Sequence, residues 1–224
     1  MFFQSGPISR GEHSKQLAII AKKLATNQIK NVITLAGAGI STSAGISDFR
    51  SSGTGLYHQL NKFDLRCAEF IFDYNYFQSQ PASLYSILRE NFISKTMHPT
   101  ATHCFIRLLA AKGLLKRHFT QNIDGLDLKA GVPRERVIEA HGTLHRSYCV
   151  DCQARYDFEW LATKLDAQNV PTCDKCQGLV RPDIVLFGEP MNFDFEFRFV
   201  YHYNSGSRDF TKCLICASAY GKRT

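Results

Sequence analysis

The chain has 224 residues, 44% hydrophobic and 21% charged, with a formal net charge of +7. That length can bury a sizeable core, as one large domain or as one domain with a small insert. The composition is ordinary for a soluble globular protein, no apolar run approaches a membrane span, and no Lys/Arg block marks a nucleic-acid arm.

The positive charge reads either as a diffuse surface or as attraction for an anionic ligand such as a dinucleotide. The N-terminus lacks the basic region and apolar core of a secretory signal. Arg10 is the one arginine before Glu12, so no clear mitochondrial presequence is visible.

Residues 13–30 read as a helix with Leu17, Ile20, Ala21 and Leu24 on one stripe. Val32-Ile33-Thr34-Leu35-Ala36 reads as a short buried strand running into Gly37-Ala38-Gly39-Ile40-Ser41. A strand, a glycine turn and a helix open a doubly wound α/β sheet, and such a turn offers backbone N–H groups to a pyrophosphate. The full G-x-G-x-x-G pattern is not met, because Thr42 takes its last position. A tight turn without a ligand therefore stays open as a reading.

Residues 49–96 are aromatic-rich and read as helices and loops. Pro99 opens a helix carrying Phe105, Leu108 and Leu109, closed by Gly113. Residues 116–120 read as a second strand leading into Gln121-Asn122-Ile123-Asp124-Gly125. Val137-Ile138 reads as a third, leading to Glu139-Ala140-His141-Gly142, and residues 184–187 as a fourth, ending at Gly188-Glu189. Ligands of open parallel sheets bind outside the carboxyl ends of the strands. A lone histidine is usually surface or core, but His141 at such an end, among amides and carboxylates, sits where a general base belongs.

Cys149-x-x-Cys152 and Cys173-x-x-Cys176 are separated by 20 residues. Two such turns can supply four thiolates to one zinc ion, which leaves no open coordination position for chemistry. A structural zinc in a reducing compartment is the expectation; two redox or buried pairs are the alternative. Cys213-Leu214-Ile215-Cys216 has no partner pair and reads as chance or as buried thiols, and Cys67 and Cys104 read as core.

Together these motifs resemble the sirtuins. The matching pieces are residues 37–41, Asp48-Phe49-Arg50, Gly55-Leu56-Tyr57, residues 120–125, Glu139-Ala140-His141-Gly142-Thr143, the four cysteines, Arg181-Pro182-Asp183-Ile184-Val185 and Phe187-Gly188-Glu189-Pro190. The resemblance covers about residues 13–190 and is nearest the deacetylase branch, with its mitochondrial and cytoplasmic members.

It implies a Rossmann-type doubly wound parallel sheet with a smaller zinc-binding and helical domain. The Rossmann part would comprise residues 13–48, 97–144 and 181–224, the cofactor loop and helical module 49–96, and the zinc module 145–180. It implies an NAD-dependent protein-lysine deacetylase that moves the acetyl group of an acetyl-lysine peptide to ADP-ribose and releases nicotinamide. Gly37, Ala38, Gly39 and Ser41 would line the diphosphate, and Asp48, Phe49 and Arg50 would begin a cofactor-binding loop. Gln121, Asn122, Ile123 and Asp124 would hold the nicotinamide-ribose end, with Asn122 catalytic beside the base His141. Val185, Phe187, Gly188 and Glu189 would take the substrate lysine and peptide backbone. The implied partners are acetylated lysine peptides, with no membrane and no direct nucleic acid. Charges of five against five over residues 145–181 give no basic face around the cysteines. The implied compartment is mitochondrial or cytoplasmic, the former slightly favoured.

Two departures bear on this. Ser47 and Ser52 stand where the family has prolines, which leaves the loop more entropy to lose, about 0.4–1 kcal/mol per site. From Met191 the family's Gly-Thr-Ser and Asn-x-Glu/Asp motifs for the adenosine half are absent, and residues 193–203 alternate aromatics instead. The expectation is a C-terminally truncated sheet lacking its later strands, and a second reading of the chain as a zinc-stabilised peptide-binding module with impaired turnover.

Overall fold

The computed structural model describes residues 10–48, 55, 68–167, 170–191 and 214–217. Apolar residues at alternate positions make β1 (Val32–Ala36), whose Val32, Thr34 and Ala36 are buried. On one side β1 pairs in parallel with β2 (Leu115–Thr120), which pairs in parallel with β3 (Val137–Glu139). On its other side it pairs in parallel with β7 (Leu214–Ala217), giving the order β3-β2-β1-β7. The expectation that the later strands are missing is thus corrected in part. The segment read as a stray CxxC supplies a strand beside β1, and the aromatic alternation at 193–203 lies outside the described residues.

The first helix, α1 (Arg10–Ala25), ends earlier than its expected limit. Asn27 and Asn31 both take left-handed backbone (φ 54 and 55), a conformation asparagine tolerates but a helix does not. Leu17, expected on the buried stripe, is 65% exposed. Between β1 and β2 lie α2 (Tyr74–Ser79), α3 (Pro81–Leu88), which runs on as the π turn Arg89–Ile93, and α4 (Ala101–Ala111). Asp73 caps α2 by accepting from the Tyr76 N–H at 3.0 Å, and Pro81 opens α3. Thr100, rather than Pro99, caps α4, in a reciprocal pair with His103. The buried stripe of α4 is His103, Ile106 and Leu109, while Phe105 and Leu108 face outward, as does Cys104, against the core placement expected for it. Cys67 lies outside the described residues.

The larger correction concerns the fourth strand. Residues 185–187 do not join the parallel sheet. Instead β4 (Gly142–Cys149), β5 (Arg155–Asp157) and β6 (Val180–Ile184) form a separate antiparallel sheet in the order β5-β4-β6, crossed by α6 (Phe158–Ala167). β4 leaves directly from His141, and Gly142 there has φ +74; a Cβ on it would stand 2.0 Å from the Asp183 carbonyl oxygen on β6. Only glycine allows the two strands to meet this closely at the sheet junction.

One core packs under the parallel sheet and includes Ile29, Val32, Ile106, Leu109, Leu115 and Val137. A second joins Ile71, Phe77, Leu84 and Leu88 to Leu161 and Leu165 of α6 and to Ile184 and Leu186. The helical segment and α6 of the cysteine-bearing segment therefore share one apolar interior.

Beneath the site, the fully buried His118 bridges Thr34 Oγ1 (2.7 Å) and Asp127 Oδ1 (2.9 Å) through its two ring nitrogens. Burial pushes the Asp127 carboxyl up, but His118, His103 and Thr120 together outweigh it and hold the group below its ordinary range. With its folded value depressed, Asp127 adds stability above the ordinary carboxylate range and loses it as pH falls through the depressed value. This pins the short helix α5 (Leu126–Lys129) to β1 and β2.

Candidate active site and metal centre

The carboxyl ends of β1, β2 and β3 deliver Gly37, Gln121 and His141 to the same edge. The Ala36 carbonyl accepts from the Gln121 N–H at 2.9 Å, which seats the second loop against the first. Asn122 Nδ2 donates to the Gly37 carbonyl (3.1 Å) and to Ser41 Oγ (3.2 Å). Ser41 Oγ, fully buried, donates onward to Asp124 Oδ2 at 2.7 Å, while the Leu126 N–H donates to Asp124 Oδ1 at 2.9 Å. A carbonyl can only accept, so the amide nitrogen of Asn122 is fixed and both its hydrogens are committed. Its Oδ1 is left as the acceptor for a ligand. Burial pushes the Asp124 carboxyl up, against the hydrogen bonds from Leu126 and Ser41 that favour its charge.

Ala38, Gly39 and Ile40 form a single 3-10 turn, with the Ser41 N–H returning to the Ala38 carbonyl at 2.9 Å. A Cβ at Gly37 would stand 3.3 Å from Gln121 Oε1, so the glycine leaves room for that side chain over the turn. His141 is half-buried, and its Nδ1 lies 2.9 Å from the Gln121 carbonyl oxygen. That oxygen accepts, so Nδ1 carries a proton, and in the neutral ring the lone pair is on Nε2. The Val185 N–H donates to the His141 carbonyl at 2.9 Å, which brings the fourth predicted segment alongside. Ile123 accepts from the Leu144 N–H through its carbonyl (3.0 Å). Asp48 is half-buried, and Phe49 and Arg50 lie outside the described residues.

Beyond Val185, Phe187 is 55% exposed, and its backbone is clasped between Phe72 and Tyr74: its N–H donates to the Phe72 carbonyl (2.7 Å) and its carbonyl accepts from the Tyr74 N–H (3.0 Å). Gly188 makes the turn that follows. Glu189, expected at the substrate, holds Arg181 by two hydrogen bonds of 2.7 Å and also accepts from the Leu186 N–H at 2.9 Å.

Arg181 is 4% exposed and lies within 5.7 Å of the ring centres of Tyr74, Phe77 and Tyr148. Sequence reasoning gave it no role. An arginine amid apolar strand residues eight positions before a glutamate was the available signal. Burial pushes the Glu189 carboxyl up, but Arg181 outweighs this and holds it below its ordinary range. Removing the acid strands a buried guanidinium, so Glu189→Ala is expected to cost roughly 3 kcal/mol in urea unfolding at neutral pH. The deficit should shrink as pH falls through the depressed value of Glu189, where the wild-type pair is itself lost. A cost under about 0.5 kcal/mol would show that the pair contributes nothing.

The four cysteines also converge. Their sulfurs all lie within 4.8 Å of one another, with Cys149 to Cys176 at 3.4 Å and Cys152 to Cys173 at 3.5 Å. Four thiolates on one zinc stand about 3.8 Å apart, so this set fits a single tetrahedral ion. Both CxxC turns close in the same way. The Gln153 N–H donates to the Cys149 carbonyl (3.1 Å) and the Gln177 N–H to the Cys173 carbonyl (2.9 Å), with both glutamines left-handed (φ 58 and 62). Burial pushes the Cys173 thiol up, but hydrogen bonds from Tyr156 and from the Cys176 and Lys175 backbone bring it down to about 6. Zinc there would be held by Cys149, Cys152, Cys173 and Cys176, with no position open for substrate.

The Sir2 family matches residues 37–217. The chain is 43% identical over 196 residues to an NAD-dependent protein deacetylase sirtuin-2 of Danio rerio, covering 87% of this chain and 50% of that protein. It is 39% identical over 183 residues to an NAD-dependent protein deacetylase sirtuin-3 of Mus musculus, covering 81% and 54%. It thus spans about half the length of these relatives. Among solved structures, a Sir2 protein with a deacetylated p53 peptide and 3'-O-acetyl ADP-ribose superposes with a TM-score of 0.69 at 34% identity, covering 82% of this chain and 70% of that one.

Proposed function

This chain belongs to the Sir2 family, and from that premise we propose that it is an NAD-dependent protein-lysine deacetylase. The acetyl group of an acetyl-lysine peptide passes to ADP-ribose, and nicotinamide is released. The observation that carries the reading is the tautomer of His141, set by the Gln121 carbonyl beside the Asn122–Ser41–Asp124 chain. NAD would supply the electrophilic ribose carbon, which the acyl oxygen of the substrate attacks as nicotinamide leaves. Asn122, with both amide hydrogens committed within the protein, orients the ribose end through Oδ1. Nε2 of His141 takes the proton of a ribose hydroxyl, so that its oxygen can attack the acyl carbon. The turn at Gly37, Ala38, Gly39 and Ser41 accommodates the diphosphate, and Asp48, Phe49 and Arg50 begin the cofactor-binding loop.

Val185, Phe187 and Gly188 line the passage for the acyl-lysine, and Glu189 serves that stretch by anchoring it to Arg181. The likeness to a structure that holds a deacetylated peptide supports a peptide substrate. Similarity to sirtuin-2 and sirtuin-3 proteins supports a cytoplasmic or mitochondrial site of action.

The test is nicotinamide release from NAD that depends on an acetyl-lysine peptide. Peptide binding without any release would replace this reading with that of a peptide-binding module. Asp124→Asn leaves an NH2 group facing either the Ser41 hydroxyl or the Leu126 N–H. A lost charged hydrogen bond of about 1.5–3 kcal/mol converts to a fall of about 10–100-fold in kcat/KM for NAD, with KM for peptide unchanged. A kcat/KM within about twofold of wild type would remove Asp124 from the cofactor site.

A further inference from the structure

Tyr156 lies at the metal centre without being a ligand. It sits on β5, and its ring stacks on Trp160 of α6 at 3.8 Å between centres and 25° between planes. Trp160 is fixed in turn. Its Nε1 donates to Asp174 Oδ2 (2.6 Å), and Lys164, 5.2 Å over the Trp160 ring, donates to Asp174 Oδ1 (2.7 Å). Asp174 follows Cys173 in the second CxxC turn, so this brace connects β5 and α6 to the ligand loop.

The brace also fixes where the Tyr156 hydroxyl hydrogen goes. The Asp174 N–H donates to Tyr156 Oη at 3.1 Å, and a backbone N–H can only donate. The Oη–H is therefore free for the other neighbour, Cys173 Sγ, at 3.1 Å. Cys173 is fully buried and receives a second donor, the Lys175 N–H, at 3.3 Å.

We propose that Tyr156 is a positioning residue of the zinc site, donating its hydroxyl hydrogen to the Cys173 thiolate and thereby slowing loss of the metal. The proposal rests on the reading of the four cysteines as a zinc site. The donor stabilises charge on a sulfur that is sealed from water, and it holds that sulfur in the tetrahedral direction before and during binding. The partner hydrogen bonds of metal ligands are typically worth 10–100-fold in affinity.

The experiment uses the zinc-loaded chain and compares wild type, Tyr156→Phe and Tyr156→Leu. Phenylalanine keeps the stack on Trp160 and loses only the hydroxyl; leucine loses both. Zinc content is measured first. A wild-type chain that carries no zinc overturns the metal site and this proposal together. With zinc present, transfer to a chromophoric chelator is expected to run about 10–100-fold faster in Tyr156→Phe than in wild type. In cobalt-substituted protein, the sulfur-to-cobalt charge-transfer band of Tyr156→Phe should move to longer wavelength, because the sulfur has lost a donor. Wild-type release kinetics and an unshifted band in Tyr156→Phe, with fast release in Tyr156→Leu, would assign the effect to ring packing. That result would overturn the proposal while leaving the zinc site intact.

Discussion

His141→Ala is expected to lower formation of the acetylated ADP-ribose product about 10²–10⁴-fold, the range that a positioned general base contributes. The Gln121 carbonyl fixes a proton on Nδ1, so in the neutral ring Nε2 is the nitrogen that holds the lone pair. In the Asn122–Ser41–Asp124 chain, Ser41 already donates to Asp124, whose other oxygen accepts from the Leu126 N–H. The substitution removes a half-buried ring from the sheet edge and leaves the backbone bond from Val185 to the His141 carbonyl untouched. Zinc content and the NAD-induced rise in Tm should therefore match wild type. A product rate within about tenfold of wild type would show that the proton goes elsewhere.

What was legible in the sequence was what neighbours along the chain dictate. Three apolar runs ending in Gly37, Gln121 and His141 announced three parallel strands whose carboxyl ends share one edge. The CxxC spacing announced the metal ligands, because two residues between thiols fix the geometry of each turn whatever surrounds them. What failed was set by distant pairing. Val180–Ile184 buries Arg181 and Pro182 along with its apolar residues, and its partner is β4 across the zinc module. Hydropathy placed the fourth strand a few residues late and in the wrong sheet. Leu214–Ala217 is a strand because β1 has an open edge beside it, a fact that no local pattern carries. On α4, apolar residues on more than one face left the periodicity ambiguous, and packing chose Ile106 and Leu109 over Phe105 and Leu108. Glu189 matched a motif associated with substrate, yet its oxygens are occupied by Arg181, a pairing visible only in three dimensions.

Metal removal should have the largest effect on stability. The small core around the cysteines comprises Cys149, Ala154, Cys173 and Val180, with Tyr156 and Trp160 packed against it, so two of its four buried residues are ligands. So little apolar burial cannot offset the ordering of two CxxC turns, and structural zinc in comparable small modules contributes about 10–16 kcal/mol of apparent binding energy. Chelation is therefore expected to unfold the two CxxC turns while the parallel sheet, with its own core, and α6, whose Leu161 and Leu165 lie in the second core, persist. The chain contains a single tryptophan, Trp160, and its indole is bonded to Asp174 inside the CxxC turn. Its emission should move to the red as the metal leaves and return when zinc is restored. Activity should follow the same course, because β4 runs from Gly142 beside the base to the ligand Cys149, so losing one end frees the other. Unchanged tryptophan emission and full turnover in a chain stripped of zinc would overturn the structural role of the metal.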